Sequence, residues 1–237
     1  MTTNRPSNQL RPIQFELGFT KWAEGSVLAK FGDTHVLCNA TLEERLPSWL
    51  RQQHSPHGWL TAEYALLPRS TQSRVQREQK WPKGRTQEIS RLIGRSLRMA
   101  VNLKQLGPRQ IIIDCDVLQA DGGTRTAAIT GSWLAVHQAL QPLITAGTIP
   151  PTVLTHQIAA ISVGLVDDQP TLDLDYALDF NAAVDLNVVM TANDLIVEVQ
   201  GTAEKAPLSR PQFDQLLDLA HHGIKQLITH QQQALPR

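Results

Sequence analysis

Cysteine is scarce in this 237-residue chain. There are two, Cys38 and Cys115, each inside an apolar, strand-like run and neither in a Cys-x-x-Cys spacing. That removes a disulfide framework and a thiolate zinc site, and leaves two buried thiols as the plain reading. Excess charge of one sign is also absent, with 22 basic against 22 acidic residues. No global field draws a polyanion, so any nucleic-acid contact has to come from local clustering. No apolar stretch approaches the roughly 20 residues needed to span a bilayer, and residues 1–12 are polar, without the apolar segment of a signal peptide. The chain therefore reads as cytoplasmic. Low-complexity linkers and internal repeats are missing as well. With 41% apolar residues there is material for a sizeable core, and one mixed α+β domain over residues 1–237 is the expectation. Neither His-Glu-x-x-His nor Gly-x-Ser-x-Gly occurs, so metalloprotease and serine-hydrolase readings lack support.

What is present begins with two β-rich runs, 26–31 and 34–42, separated by Gly32-Asp33, a dipeptide suited to a hairpin. Residues 43–83 lack periodicity apart from a strand candidate at 59–67, and so long an irregular stretch is functional or disordered, with function the preferred reading. From Thr86 the spacing of Ile89, Leu92, Ile93, Leu97, Ala100 and Val101 predicts a helix that Gly107-Pro108 stops, with Arg91, Arg95 and Arg98 on another face. A strand at 111–118 runs into the glycine-rich segment 121–126 and a helix over 127–140. Strands are expected at 158–166, 171–176, 185–191 and 195–200. A last helix carries the stripe from Phe213 to Ile228, with Ser209 as N-cap and Pro211 in its first turn.

Three constellations carry chemistry. In Asp121-Gly122-Gly123-Thr124-Arg125-Thr126, two glycines let backbone amides approach an anion, the following helix offers unpaired N–H groups, and Arg125 adds a fork suited to phosphate. No Gly-Lys-Ser/Thr follows, so this is not a Walker loop, and a structural tight turn with a surface arginine is equally compatible. Between residues 69 and 85, six bases, Arg69, Arg74, Arg77, Lys80, Lys83 and Arg85, stand against the one acid Glu78. Such a patch holds several backbone phosphates, and Trp81 offers a face for a base; a solvated basic loop is the alternative. Finally, Asp179 and Asp185 bracket the start of a strand, Asp173 and Asp175 alternate along the preceding one, and Asp114 and Asp116 share a face. Carboxylates beside a phosphate site commonly hold Mg²⁺, and the sequence does not say which pair converges.

Taken together, Leu66-Leu67-Pro68-Arg69-Ser70-Thr71, Leu92-Ile93-Gly94-Arg95-Ser96-Leu97-Arg98, the run Cys115-Asp116-Val117-Leu118-Gln119-Ala120-Asp121-Gly122-Gly123-Thr124-Arg125-Thr126, and the stretches 8–12, 23–27, 31–34, 187–191 and 198–204 resemble the ribonuclease PH family in the same order. The resemblance covers nearly the whole chain. It implies a fold like the second domain of ribosomal protein S5 and a homohexameric ring of three dimers. It implies that Arg85, Gly123, Thr124 and Arg125 bind an attacking inorganic phosphate, that Asp179 and Asp185 hold Mg²⁺ or assist the leaving group, and that Arg69, Arg74 and Arg77 guide RNA. The activity implied is tRNA nucleotidyltransferase: phosphorolysis of tRNA precursors from the 3′ end, with release of nucleoside 5′-diphosphates and reversal as nucleotide addition.

Three places depart from the family pattern: residues 51–58 form a longer, less glycine-rich segment, Trp81-Pro82-Lys83 replaces a small, flexible approach to Arg85, and Phe180, Asn181 and Val184 make the stretch between the aspartates less polar. Asp179 and Asp185 keep the matching spacing. The alternative reading is a non-catalytic RNA-binding ring subunit of an exosome-like assembly. Such subunits lack parts of the phosphate or acidic set, and here none is missing.

Overall fold

The computed structural model describes residues 5–78, 84–205 and 207–236. Their architecture is α+β, with two sheets and the helices packed on and between them, as the sequence leads one to expect. The first sheet is built from β1 (Ile13–Leu17), β2 (Gly25–Phe31), β3 (Thr34–Glu43), β4 (Trp59–Leu66) and β5 (Gln110–Gln119), in the order β1-β2-β3-β5-β4. β2 and β3 form the expected hairpin, with Gly32 at a φ of 55° in its turn. β4 and β5 run parallel, and the crossover between them carries α2 (Gly84–Ala100) across the sheet. A parallel pair needs such a crossover, because a tight turn can only reverse the chain. A short helix, α1 (Ser48–Gln52), precedes β4.

The second sheet comprises β6 (Ile158–Val166), β7 (Gln169–Leu172), β8 (Val184–Thr191) and β9 (Ile196–Ala203), all antiparallel, in the order β7-β6-β8-β9. Asp167 and Asp168 both take left-handed φ values in the β6–β7 turn, the conformation a two-residue hairpin requires. Between the sheets lies α4 (Thr124–Thr145), which packs on β2 and β3 on one side and on β6 on the other. It is buried nearly all round from Thr126 to Leu140, which explains why its sequence shows composition more than a one-sided stripe. The closing helix α6 (Arg210–Ala234) covers β6 and β7 with Leu216, Ala220, Ile224 and Leu227. Ser209 caps it: its Oγ accepts the Gln212 N–H while the Gln212 side chain reaches back to the Ser209 N–H, closing a capping box. One contiguous apolar cluster joins both sheets and all three long helices, from Val27 and Phe31 through Ile93 and Leu134 to Ile161, Val188 and Ile224. No described helix is long and apolar enough to cross a membrane.

Several expectations change. The helix from Thr86 ends at Ala100, short of Gly107, because Asn102 interrupts it. The Asn102 side chain accepts from the Lys104 and Gln105 N–H groups and starts a separate one-turn helix, α3 (Leu103–Leu106), while Val101 bridges to Leu154. The strand expected over 171–176 stops at Leu172: Asp173 turns into the left-handed region at a φ of 55°, and Asp175 N-caps a new helix, α5 (Tyr176–Asn181). Asp173 and Asp175 therefore do not alternate along a strand, and Asp179 stands on a helix, with only Asp185 on a strand. β1 and α1 had no periodic signature. Both are short, and β1 takes its place as an edge strand by pairing with β2.

Candidate functional site

The C-terminal end of β5, the start of α4, α5, the start of β8 and the end of β9 converge on one open cleft of about 660 Å³. Arg85 from the first turn of α2 closes one wall. Of the residues singled out in the sequence, Arg85, Gly123, Thr124, Arg125, Asp179 and Asp185 all line this cleft. Arg69, Arg74 and Arg77 do not. They stand exposed on the loop that follows β4, which sends Thr71 into the cleft instead. Lys80, Trp81 and Lys83 lie outside the described residues.

The glycine turn is held from beneath. Gly122 and Gly123 have φ values of 72° and 65°, a region that L side chains avoid, and a Cβ on Gly122 would stand 2.5 Å from the Leu174 carbonyl oxygen. The Arg11 side chain is almost wholly buried below the turn. Its Nη1 donates to the Asp121 carbonyl at 2.6 Å, while its Nε and Nη2 donate to the two carboxylate oxygens of Asp173 at 3.1 and 2.7 Å. Thr34 Oγ1 donates to the Gly122 carbonyl at 2.6 Å and accepts the Asp121 N–H at 2.9 Å. These bonds face the turn's carbonyls into protein. The amides of Thr124, Arg125 and Thr126 precede the first bond of α4, from the Ala127 N–H to the Gly123 carbonyl, so this helix end offers free donors and the positive end of its dipole.

Two guanidiniums frame that end. Arg125 Nη1 donates to Gln200 Oε1 at 2.9 Å, Gln200 Nε2 donates to Glu88 at 2.8 Å, and Glu88 lies 3.6 Å from Arg125 Nη1, which keeps the long side chain from sweeping through solvent. Tyr64 from β4 hydrogen-bonds Thr124 Oγ1 at 2.8 Å across the cleft floor. Burial pushes the Tyr64 phenol up, opposed by the Thr124 bond and by the charges of Arg85 and Arg125.

The opposite wall is acidic. Burial pushes the Asp179 carboxyl up, with Arg125 and Arg85 pulling it back; it remains open to the water of the cleft, while the protein wall behind it desolvates it. Asp185 is raised first by burial and next by the Asp179 charge, with Arg125 opposing. Glu204 raises both. Three carboxylates thus share one negative field beside two arginines, which is a place that favours cations and protons. Among the described residues, no group of three or more His, Cys, Asp or Glu side chains is close enough to hold a metal by protein ligands alone.

The other acidic pairs are otherwise engaged. Asp173 is fully buried and committed to Arg11, and Asp175 caps α5 by accepting the Leu178 N–H at 2.9 Å. Asp114 and Asp116 lie on the outer face of β5, beside Glu63 and Arg77. Reading the sequence missed Arg11, Tyr64, Glu204 and Lys205 as parts of the site. Arg11 and Glu204 sit in segments that match the family, yet nothing in their spacing marks one as a buried support and the other as a cleft wall.

Residues 9–142 match the family described as 3′ exoribonuclease family, domain 1, and residues 156–223 match its domain 2. Among solved structures, the fold is similar to that of rice (Oryza sativa) Rrp46, with a TM-score of 0.79, 16% identity, and coverage of 98% of this chain and 99% of that one. It is also similar to a chain of the Archaeoglobus fulgidus exosome with RNA bound to the active site, with a TM-score of 0.75, 21% identity, and coverage of 94% and 89%.

Proposed function

This chain belongs to the phosphorolytic 3′ exoribonuclease family, and from that premise we propose that it is an active, cytoplasmic, phosphate-dependent 3′→5′ exoribonuclease that trims tRNA precursors. The observation that carries this reading is the meeting of the glycine turn, Arg85, Arg125, Asp179 and Asp185 in a single cleft. The cleft draws on both matched segments, so residues 1–237 act in this reading as one catalytic domain.

Inorganic phosphate sits at the start of α4, held by the free amides and by Arg85 and Arg125. One of its oxygens attacks the phosphorus of the 3′-terminal linkage. A new P–O bond forms as the bond to the 3′ oxygen of the preceding nucleotide breaks, and a nucleoside 5′-diphosphate leaves. An anion must approach an anion here, so positioning and charge neutralisation are the main tasks. The departing 3′ oxygen takes a proton with the help of Asp185, directly or through a water that this carboxylate holds. One phosphate linkage replaces another, so the reaction runs in reverse as nucleotide addition.

The acidic wall also fits Mg²⁺, which is bound through one or two carboxylates, waters and substrate phosphates rather than by an all-protein cage. Asp179 and Asp185 would hold it, and its contribution would be to offset charge on the scissile phosphate. Arg69, Arg74 and Arg77 receive the incoming strand outside the cleft, and six copies of the chain form a ring.

A second reading, an RNA-binding ring subunit without catalysis in an exosome-like assembly, draws on the likeness in fold to the A. fulgidus exosome chain and to rice Rrp46. The complete phosphate and acidic set favours the first. The test is to incubate a 3′-extended tRNA with the protein and Mg²⁺, with and without inorganic phosphate, and to identify what is released. Phosphate-dependent release of nucleoside diphosphates is expected. Monophosphates without phosphate would mean hydrolysis, and RNA bound but never shortened would put the non-catalytic subunit first.

A further inference from the structure

α5 is a helix that buries none of its residues, and it nevertheless carries two large aromatic rings. Tyr176 is 59% exposed and Phe180 is 75% exposed. Neither ring adds to the core, and leaving that much apolar surface in water forgoes the gain that burial would bring. The two rings are stacked on each other, their centroids 6.3 Å apart and their planes at 30°. Both line the cleft. Trp22, which is 85% exposed, makes a useful contrast: it lies in the turn between β1 and β2, outside the cleft, with the Lys21 ammonium 4.7 Å over its ring.

We propose that Tyr176 and Phe180 form a stacking platform for the 3′-terminal base of an RNA strand. The inference rests on the reading of the cleft as a site for RNA 3′ ends, and it adds what holds the base while the phosphates are held elsewhere. Phe180 follows Asp179 directly on α5, and both residues line the cleft. The platform's surroundings match the rest of a nucleotide. Arg85 and Arg125 face the phosphate side of the cleft, and Lys205, whose Nζ donates to the Asn181 carbonyl at 2.6 Å, places its ammonium at the end of α5. The pair is preorganised. The Asp175 cap fixes the first turn of the helix, the Tyr176 N–H donates to Asp121 of the glycine turn at 3.4 Å, and Lys205 occupies a carbonyl at the other end. A ring face recognises any planar base, so the platform would grade substrates by stacking strength and not by base identity.

The test uses oligoribonucleotides identical except for the 3′-terminal residue: adenosine, uridine or 5,6-dihydrouridine. The last keeps the hydrogen-bonding edge of uridine but has a puckered, non-aromatic ring. Affinity is measured without phosphate, so that no turnover occurs, and KM and kcat are measured with phosphate. For the unaltered full-length protein the expected order is adenosine over uridine over dihydrouridine. In Phe180→Ala, adenosine-ended RNA is expected to lose about 5- to 150-fold in affinity, the range of one base–aromatic stack. Dihydrouridine-ended RNA should hardly change, the effect should fall on KM, and Phe180→Trp should restore the order. Equal losses for all three ends, or no loss, would overturn the platform. Because binding is read separately, failure of the catalytic reading shows as bound RNA that phosphate never shortens, with the platform still judged by the base order. If the unaltered protein binds none of the three, both readings fall.

Discussion

Two pairs of aspartates in this protein are alike in type and differ in spacing and surroundings. Asp114 and Asp116 lie two positions apart on the outer face of β5. Asp179 and Asp185 reach the cleft from a helix and from the strand that follows it two residues later. In all four, burial is the largest cause of a raised pKa. What separates the pairs is their company. Asp114 has Glu63 and Asp116 as neighbours, a purely acidic row, and Asp116 is relieved by Arg77 from a loop. The cleft pair faces two arginines on a wall that also presents a helix N-terminus. A perturbed carboxylate is therefore a poor sign of chemistry on its own; in the proposed reading the sign is perturbation opposite a site suited to an anion.

The comparison can be broken in several ways. The largest effect is expected from Asp185→Asn, which should lower kcat for phosphorolysis by about 10²- to 10⁴-fold, the usual worth of general acid–base assistance; Asp116→Asn should leave kcat unchanged. Equal losses in steady-state rates would mean that the two pairs do not differ in function. Asp173→Ala should cost about 3–5 kcal/mol of stability, because it strands the buried Arg11 guanidinium. Urea unfolding would show this as a lower midpoint at constant slope, and an unmoved midpoint would mean that the turn stands without its support. Arg125→Ala should raise the KM for inorganic phosphate by about 10- to 100-fold, as loss of a charge-assisted hydrogen bond implies. A change in RNA affinity with phosphate KM intact would reassign that arginine to the strand.

Smaller effects belong to the outer pair and its loop. Arg77→Ala should weaken RNA binding modestly and reduce the slope of log affinity against log salt by about one; an unaltered slope would remove Arg77 from the RNA path. The smallest is Asp114→Asn. The folded-state pKa of Asp114 lies above its unfolded value of about 3.9, so the native state binds more protons in that window and stability falls as pH rises through it. Asn removes that penalty. Thermal unfolding at pH 7 should therefore move to a higher temperature, and the gain should vanish below about pH 4. A loss at pH 7 would show that the carboxylate is serving as an ion-pair partner.

Much of the second sheet and both long outer helices could be read from the chain, because the turn residues between its β-rich runs, the Ser209 N-cap and the stripe from Phe213 to Ile228 are local patterns. The errors cluster where a long-range contact decides a local conformation. Residues 171–176 look like a strand, yet Asp173 turns left-handed beneath the glycine turn to meet Arg11, 162 residues earlier in the chain. The Thr86 helix looks longer than it is, because the Asn102 cap and the Val101–Leu154 bridge override apolar spacing. In the cleft, the candidate phosphate ligands and the Asp179–Asp185 pair were legible through resemblance, while Tyr64, Glu204 and Lys205 were not. A tyrosine in a strand or a glutamate after one has no local mark of where its side chain will meet another.

By itself, then, the sequence determined the β2–β3 hairpin, the Ser209 cap, the stripe of the last helix and the segment in which two glycines in succession let the backbone turn left-handed, since each depends on interactions between residues a few positions apart. Which carboxylates face the arginines, which arginine lies buried as a support, and that two aromatic rings stand uncovered beside Asp179 were decided by tertiary structure alone. Those outcomes depend on desolvation and on charges brought within a few ångströms by sheets distant in sequence, and no spacing along the chain encodes a distance across it.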